Sequence, residues 1–290
     1  MTRRKFMMLL AGSAATLPWP LPWPWPFAAR AQNATKLDPA AADQVGQVAT
    51  LQGNATVSRA NAAAAIALQV NDPIFKNDAL ETGANSSLGV TFDDETTFSL
   101  SANTRIVVSE FVYQEGGKAN AALFNVALGT AAFVASLVAK TGDMKITTPT
   151  ATLGIRGTTG VVDVPAAGGA GEPRIKLYPD ADGNVGRIEV FNRQGGRLGA
   201  LTEGASAFAL RPGPGGRLEA VPFQIPAQEA ARDRSVLQRL FVAHRIGRQM
   251  TIRRRGSRGG RRGGPQPNRN PRMPGLQRPQ PRRGGRGLRR

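Results

Sequence analysis

The sequence contains no cysteine and only one histidine, His244. The first absence excludes disulfides, thiolate metal sites and thiol nucleophiles, and it leaves the redox compartment undetermined. The second means that a histidine-based triad or a multi-histidine metal site would have to be built around one side chain. Aromatic residues are sparse: there are two tyrosines and three tryptophans, and Trp19, Trp23 and Trp25 all fall near the N-terminus. Acidic residues are short too, with 20 Asp and Glu against 38 Lys and Arg, for a formal charge of +18 over 290 residues. That charge is uneven. Arg253 to Arg290 holds 14 arginines, no lysine and no acidic residue, so +14 of the +18 lies there and +4 on the 252 residues before it. An ordinary domain with a cationic extension fits that split. The sequence has no phosphate-binding glycine loop, no G-x-S-x-G elbow and no zinc-ligand spacing. No enzyme activity, cofactor or small-molecule substrate is inferred.

What is present begins with an address. Thr2-Arg3-Arg4-Lys5-Phe6 is a paired-arginine segment, followed by an uncharged stretch from Phe6 to Ala29 and by Ala29-Arg30-Ala31, a small-x-small cleavage pattern before Gln32. This resembles a bacterial twin-arginine signal peptide covering residues 1–31, with the general secretory route as the alternative. The stretch is long enough to span a bilayer. However, Pro18, Pro20, Pro22, Pro24 and Pro26 each remove a backbone donor and disfavour helix in the residue before them, which lipid does not tolerate. Export to the periplasm or cell surface is the expectation.

From Val45 the apolar pattern has period two, or forms short β-branched runs, and turn residues break it at intervals. The expected strands are 46–51, 55–59, 66–70, 87–92, 96–100, 105–113, 121–128, 132–138, 143–147 and 160–164. Gly53-Asn54, Asn71-Asp72-Pro73, Gly83-Ala84-Asn85, Asp93-Asp94, Asn103 and Gly116-Gly117 separate them. Short strands at this spacing indicate an all-β sandwich, barrel or solenoid. A Gly/Ala loop, Pro165 to Gly171, leads to weaker strands at 174–178, 187–192, 197–201 and 205–210. Asp182-Gly183-Asn184 and Gln194-Gly195-Gly196 read as hairpin turns among them. Whether this block, 165–225, closes the same unit or packs as an appendage stays open.

Residues 226–252 carry helical spacing: Val236, Leu240 and Ala243 share a stripe, Leu237, Phe241 and His244 lie beside it, and most arginines lie elsewhere. Residues 253–290 are mostly Arg, Gly, Pro, Gln and Asn without an aromatic residue, a composition expected to be disordered.

The most specific stretch is Thr148-Pro149-Thr150-Ala151-Thr152-Leu153-Gly154-Ile155-Arg156-Gly157-Thr158 with Val161-Val162 beyond it. Upstream stand Asp78-Ala79-Leu80-Glu81-Thr82-Gly83-Ala84-Asn85-Ser86, then Asp93-Asp94-Glu95 and Ala102-Asn103-Thr104. In that order and spacing these segments resemble the FecR family of bacterial envelope domains, over about Val45 to Val164. The resemblance implies an all-β domain outside the cytoplasm, a compact β-roll, solenoid-like stack or sandwich. In the founding members that domain takes a signal from an outer-membrane receptor and passes it through a transmembrane helix to a cytoplasmic sigma factor. The resemblance does not extend to a cytoplasmic segment or to a transmembrane helix before the domain, and Glu95 stands where the family's turn has glycine.

The signature residues Gly83, Thr148, Pro149, Ala151, Ile155, Arg156, Gly157 and Thr158 are expected to be structural. Gly83, Gly154 and Gly157 suit positive φ or close backbone approach, and Pro149 suits a strand edge or bend. Arg156 is expected to bury its guanidinium against a carboxylate, with Glu81, Glu110 and Asp143 as candidates. Asp93-Asp94-Glu95 is expected to be a solvated turn and not a metal cluster, because adjacent strand residues face opposite ways. Asp180 to Asn184 reads as a plain turn and not a calcium loop, and no catalytic role is expected of His244. Arg253, Arg254, Arg255, Arg258, Arg261 and Arg262 begin a polyanion-binding segment. Its expected partner is an envelope protein or an acidic envelope polymer such as lipopolysaccharide or anionic lipid. Nucleic acid is a weaker alternative without aromatic residues to stack on bases, and a purely solubilising extension is the third. The reading is a non-catalytic envelope scaffold or interaction module; the alternative is a regulator of envelope or iron-uptake-type signalling acting through a membrane partner.

Overall fold

The computed structural model describes residues 44–260 apart from 60, 61, 63 and 170. The expected leader, 1–31, and the arginine-rich sequence from 261 onward, including Arg261 and Arg262, lie outside the described residues. In chain order the first strands are β1 (Gln44–Gln52), β2 (Ala55–Ser58), β3 (Ile66–Ala67), β4 (Pro73–Phe75), β5 (Ala79–Thr82), β6 (Ser87–Phe92), β7 (Thr97–Leu100), β8 (Arg105–Val112) and β9 (Ala121–Val134). A short helix, α1 (Leu137–Thr141), precedes β10 (Asp143–Thr147), β11 (Ala151–Arg156) and β12 (Thr159–Val164). Then come β13 (Arg174–Tyr178), β14 (Arg187–Asn192), β15 (Arg197–Leu201), β16 (Ser206–Pro212), β17 (Leu218–Pro222) and the long helix α2 (Ala227–Gly260).

Pairing sorts the strands into two layers. Layer one runs β4-β1-β6-β7-β9-β12-β13-β16-β17. Layer two runs β3-β2-β5-β8-β9-β10-β11-β14-β15. The chain passes repeatedly from one layer to the other, so the fold is an all-β roll around one core. Residues 165–225 add strands to both layers and contribute Ile175, Leu177, Ile188, Val190, Leu201, Phe208 and Leu210 to that core.

Strand β9 belongs to both layers. Residues 121–128 pair in layer two and 129–134 in layer one. The sequence reads as two strands there because Gly129-Thr130 looks like a break. Instead Gly129, at φ +89°, bends one continuous strand, and a Cβ at that position would sit 2.4 Å from Thr104 Oγ1. The same Thr104 hydroxyl accepts from the Thr130 amide at 3.1 Å and pins the bend. After Val134 the chain turns into α1, whereas the sequence reads as strand to Val138.

The inner faces of the layers meet over a phenylalanine cluster. Phe98 lies 4.6 Å from Phe124 by ring centroid, Phe92 4.9 Å from Phe124 and 5.3 Å from Phe111, and Phe98 5.9 Å from Phe133. Phe92, Phe98 and Phe133 come from layer one, Phe111 and Phe124 from layer two, so the cluster staples the layers together.

The outer face of layer one is covered by α2. Along β7, Phe98 and Leu100 point to the core, yet outward Thr97 and Ser99 are buried as well. Val236 and Leu240 are buried against Ala132, Val134 and Val161, and Ala243 is buried beside Gly89, so the expected apolar stripe is a docking stripe. Gly89 and Gly247 allow the close approach. A Cβ on Gly89 would lie 2.6 Å from Ala243 Cβ, and one on Gly247 1.8 Å from Thr91 Oγ1. The helix continues to Gly260, eight residues beyond the expected boundary at 252, because Thr251, Arg254 and Arg255 extend the docked face.

Candidate functional site

The signature residues build the passage from layer two to layer one. Thr148 Oγ1 accepts from the Ala151 amide at 3.0 Å and the Thr150 amide at 3.3 Å, closing the turn around Pro149 that joins β10 to β11. Ala151, Leu153 and Ile155 then point into the core. The next three residues change layer. Gly157 adopts φ +49°, and the buried Thr158 hydroxyl accepts from the Gly186 amide at 3.2 Å.

Arg156 departs from expectation. It is exposed, and Nη1 donates to the Gly142 carbonyl at 2.7 Å, with no carboxylate of the described residues paired to it. The reason is strand alternation: with Ile155 inward, Arg156 must face out. The candidate partners are engaged elsewhere or apart, Glu81 with Arg105 at 3.3 Å and Asp143 with Lys145 at 2.6 Å. Gly83 and Gly154 differ as well. Neither has positive φ, and a Cβ would meet nothing nearer than 3.5 Å and 3.7 Å respectively.

The acidic turn between β6 and β7 also reads differently in three dimensions. Asp94 is fully buried and not solvated. Its carboxylate accepts from the Thr96 amide at 2.9 Å, the Thr96 hydroxyl at 2.6 Å and the Val138 amide at 3.0 Å, tying the turn to α1. Burial pushes this carboxyl above its usual range, and those hydrogen bonds oppose the shift. Glu95 takes φ +70°, the conformation glycine would adopt most readily. On either side of Asp94 the turn is gripped by α2. Glu95 pairs with Arg248 at 3.0 Å, Asp93 pairs with Arg254, and the Asp93 carbonyl accepts from Arg255. The Arg255 guanidinium also sits 5.4 Å from the centre of the Tyr113 ring.

Two residues expected to begin a free polyanion-binding segment, Arg254 and Arg255, are therefore part of the domain's own clasp. Arg253 is exposed on the helix. Arg258 lies within α2. Asp180 to Asn184 is a turn, but it carries the chain from layer one to layer two and is not a hairpin, since β13 pairs with β12 and β16 while β14 pairs with β11 and β15.

The site that sequence reasoning missed lies at the N-terminal end of α2. Lys176, on the outer face of β13, is 1% exposed. Its Nζ contacts Asp163 at 2.7 Å, Glu229 at 2.7 Å and Asp233 at 2.9 Å. Arg174 pairs with Glu229, the Tyr178 hydroxyl donates to Asp233, and the Thr130 hydroxyl donates to Asp163 at 2.6 Å. Burial alone would push the Lys176 ammonium down, but its carboxylates, Asp163 foremost, hold it above its usual value. Burial and the Asp233 hydrogen bond push the Tyr178 phenol up. Lys176 stays charged and Tyr178 neutral, and the ion pairs to Glu229 and Asp233 make the cluster an electrostatic pin for α2. Beside it opens a cleft of about 590 Å³ between α2, β12 and the start of the loop after Val164.

Farther along α2, His244 Nδ1 lies 3.1 Å from the Thr97 hydroxyl. Burial pushes the imidazole below its usual value, Glu95 pulls it upward and Arg248 pushes it down. No helix among the described residues is long and apolar enough to cross a membrane.

The described chain is thus an all-β roll with one helix packed across a sheet face. Residues 78–172 match the family model for FecR protein. The match covers β5's lead-in through β12 and its following loop. Two solved structures of a putative anti-sigma factor from Parabacteroides distasonis are similar at 14% and 13% identity, with TM-scores of 0.38 and 0.37. Each alignment covers 53% of this chain and 62% of that one, so this chain spans about three fifths of those proteins' length. No curated protein matches.

Proposed function

We propose that the protein is a non-catalytic FecR-domain module of the bacterial envelope that takes part in signalling by binding a membrane partner. The FecR match over 78–172 carries this reading. The paired arginines of residues 3 and 4 and the proline-interrupted stretch behind them favour export to the periplasm or surface. The partner-facing element in this reading is the outer side of α2, where Arg234, Arg245 and Arg253 are exposed. No acidic residue follows Asp233 in the sequence, so every charged residue after it is basic.

The test is cross-linked capture of the full chain from detergent-solubilised envelope, with recovered proteins identified by mass spectrometry. A membrane receptor or sensor should be retained by the parent and depleted by Arg234→Glu/Arg245→Glu. Retention of cytoplasmic proteins alone would overturn the reading. The same cationic stretch supports a second role, attraction to lipopolysaccharide or anionic lipid. In that case vesicle binding should fall steeply between about 50 and 200 mM salt, as counterion release dictates.

A further inference from the structure

The cleft beside Lys176 has an unusual balance of occupied and unoccupied groups. Its carboxylates are all engaged: Asp163, Glu229 and Asp233 by Lys176, and Glu172 by Arg211 at 2.9 Å. Arg174 is held by Glu229. Two further cations line the same cleft, Arg232 and Arg239, seven residues apart and therefore on one side of α2. Neither forms an ion pair among the described residues. Arg239 Nε is buried without a hydrogen-bond partner, and so is the hydroxyl oxygen of Ser101 on the opposite wall. A buried donor without an acceptor is destabilising, the more so when it is charged. The unmet charge of this cleft is thus on the donor side, and the Ser101 hydroxyl can donate as well. A group with several acceptor oxygens and negative charge would satisfy it.

We propose that the cleft binds a small oxyanion, a carboxylate or phosphate group, clamped by Arg232 and Arg239 with Ser101 as a further donor. Guanidinium forks match such groups with paired, charge-assisted hydrogen bonds. At about 590 Å³ the cleft falls in the size range of ligand sites, with room for an organic body behind the charged group. Because Arg232 and Arg239 belong to α2 and Ser101 follows β7, a bound oxyanion bridges the helix and the roll and strengthens their docking. The proposal goes beyond the signalling reading and does not depend on it.

The test is calorimetric titration of the full chain with inorganic phosphate and, separately, with succinate, at ionic strength held constant with chloride. At least one of the two should bind with saturable heat and raise the melting midpoint, as a ligand selective for the folded state must. Arg232→Gln and Arg239→Gln should each weaken that binding by about tenfold or more. Arg234→Gln/Arg245→Gln, on the outer side of the same helix, should leave it unchanged. Which probe binds separates phosphate from carboxylate recognition. Saturable heat from neither probe would overturn the proposal. So would equal binding by the parent and a cooperatively melting Arg239→Gln variant, because that would place the anion on the cationic surface at large.

Discussion

The two faces of layer one are held in opposite ways. Its inner face presents Leu88, Val90, Phe92, Phe98, Leu100 and Phe133 to the core, and the contact is apolar and interlocked. Its outer face presents Gly89, Thr91, Thr97, Ser99, Lys176 and Tyr178 to α2, with a small apolar patch at Ala132, Val134 and Val161. The first contact depends on volume and burial, which do not change with pH or salt. The second depends on charges, hydroxyls and close approach, which do. One sheet therefore carries an apolar core contact on one side and a mixed, largely polar helix contact on the other.

The largest expected effect is on the core. Phe124→Ala removes the ring that Phe92, Phe98 and Phe111 all touch, and should destabilise the whole domain by about 3–5 kcal/mol in chemical denaturation. A loss under about 1 kcal/mol would remove the contrast between the faces. Next comes fit under the helix. Gly247→Val would drive side-chain atoms into Thr91 and should cost about 1–3 kcal/mol, with α2 more exposed to protease than the strands are.

A smaller effect distinguishes the faces by pH. His244 is held below its usual value of 6.5, so the unfolded chain binds the proton more readily than the folded one. Its contribution is therefore complete above about pH 6.5 and is lost as pH falls through that value. Of its charged neighbours, Glu95 and Asp180 moderate the effect and Arg248 enhances it. The buried Asp94 acts in the reverse sense and in a lower window: its raised value means that stability declines as pH rises from 3.8. Replacing His244 with Gln should flatten the dependence between pH 7.5 and 5.5, and an unaltered slope would assign it elsewhere. Smallest of all should be Arg105→Gln. It breaks an exposed pair with Glu81 and should change stability by no more than about 1 kcal/mol.

The strands were legible because period-two patterning survives wherever one face is buried and the other is wet. The docking stripe of α2 was legible for the matching reason, as Val236, Leu240 and Ala243 recur at helical spacing. Lys176 was not. In Arg174-Ile175-Lys176-Leu177-Tyr178 it occupies the outward position of an alternating strand, which reads as solvent-facing, and only a helix more than fifty residues later buries it. Asp94 was hidden likewise, because its partner Val138 comes from α1 across the layer. Arg156 erred in the other direction: a resemblance singles out a residue without saying which way its strand turns it. The basic stretch from Arg253 read as a uniform tail because composition does not register Asp93 and Tyr113, which engage Arg254 and Arg255. These contacts also bear on dissection of the chain. A fragment ending at Pro226 would lose Glu229 and Asp233 from Lys176 and uncover Val134 and Val161.

The central claim is that the Lys176 cluster pins α2 to the roll, so that losing the pin loosens the helix before the strands. Native-state hydrogen exchange on the full chain, parent against Lys176→Met, tests it most directly. The variant leaves Asp163, Glu229 and Asp233 clustered without their shared cation, a loss of the kind that costs about 3–5 kcal/mol. The account predicts that amides of α2 lose protection by several orders of magnitude, while those of β8, β9 and β11 keep theirs. Equal loss across helix and strands, or an α2 as protected as in the parent, would contradict it.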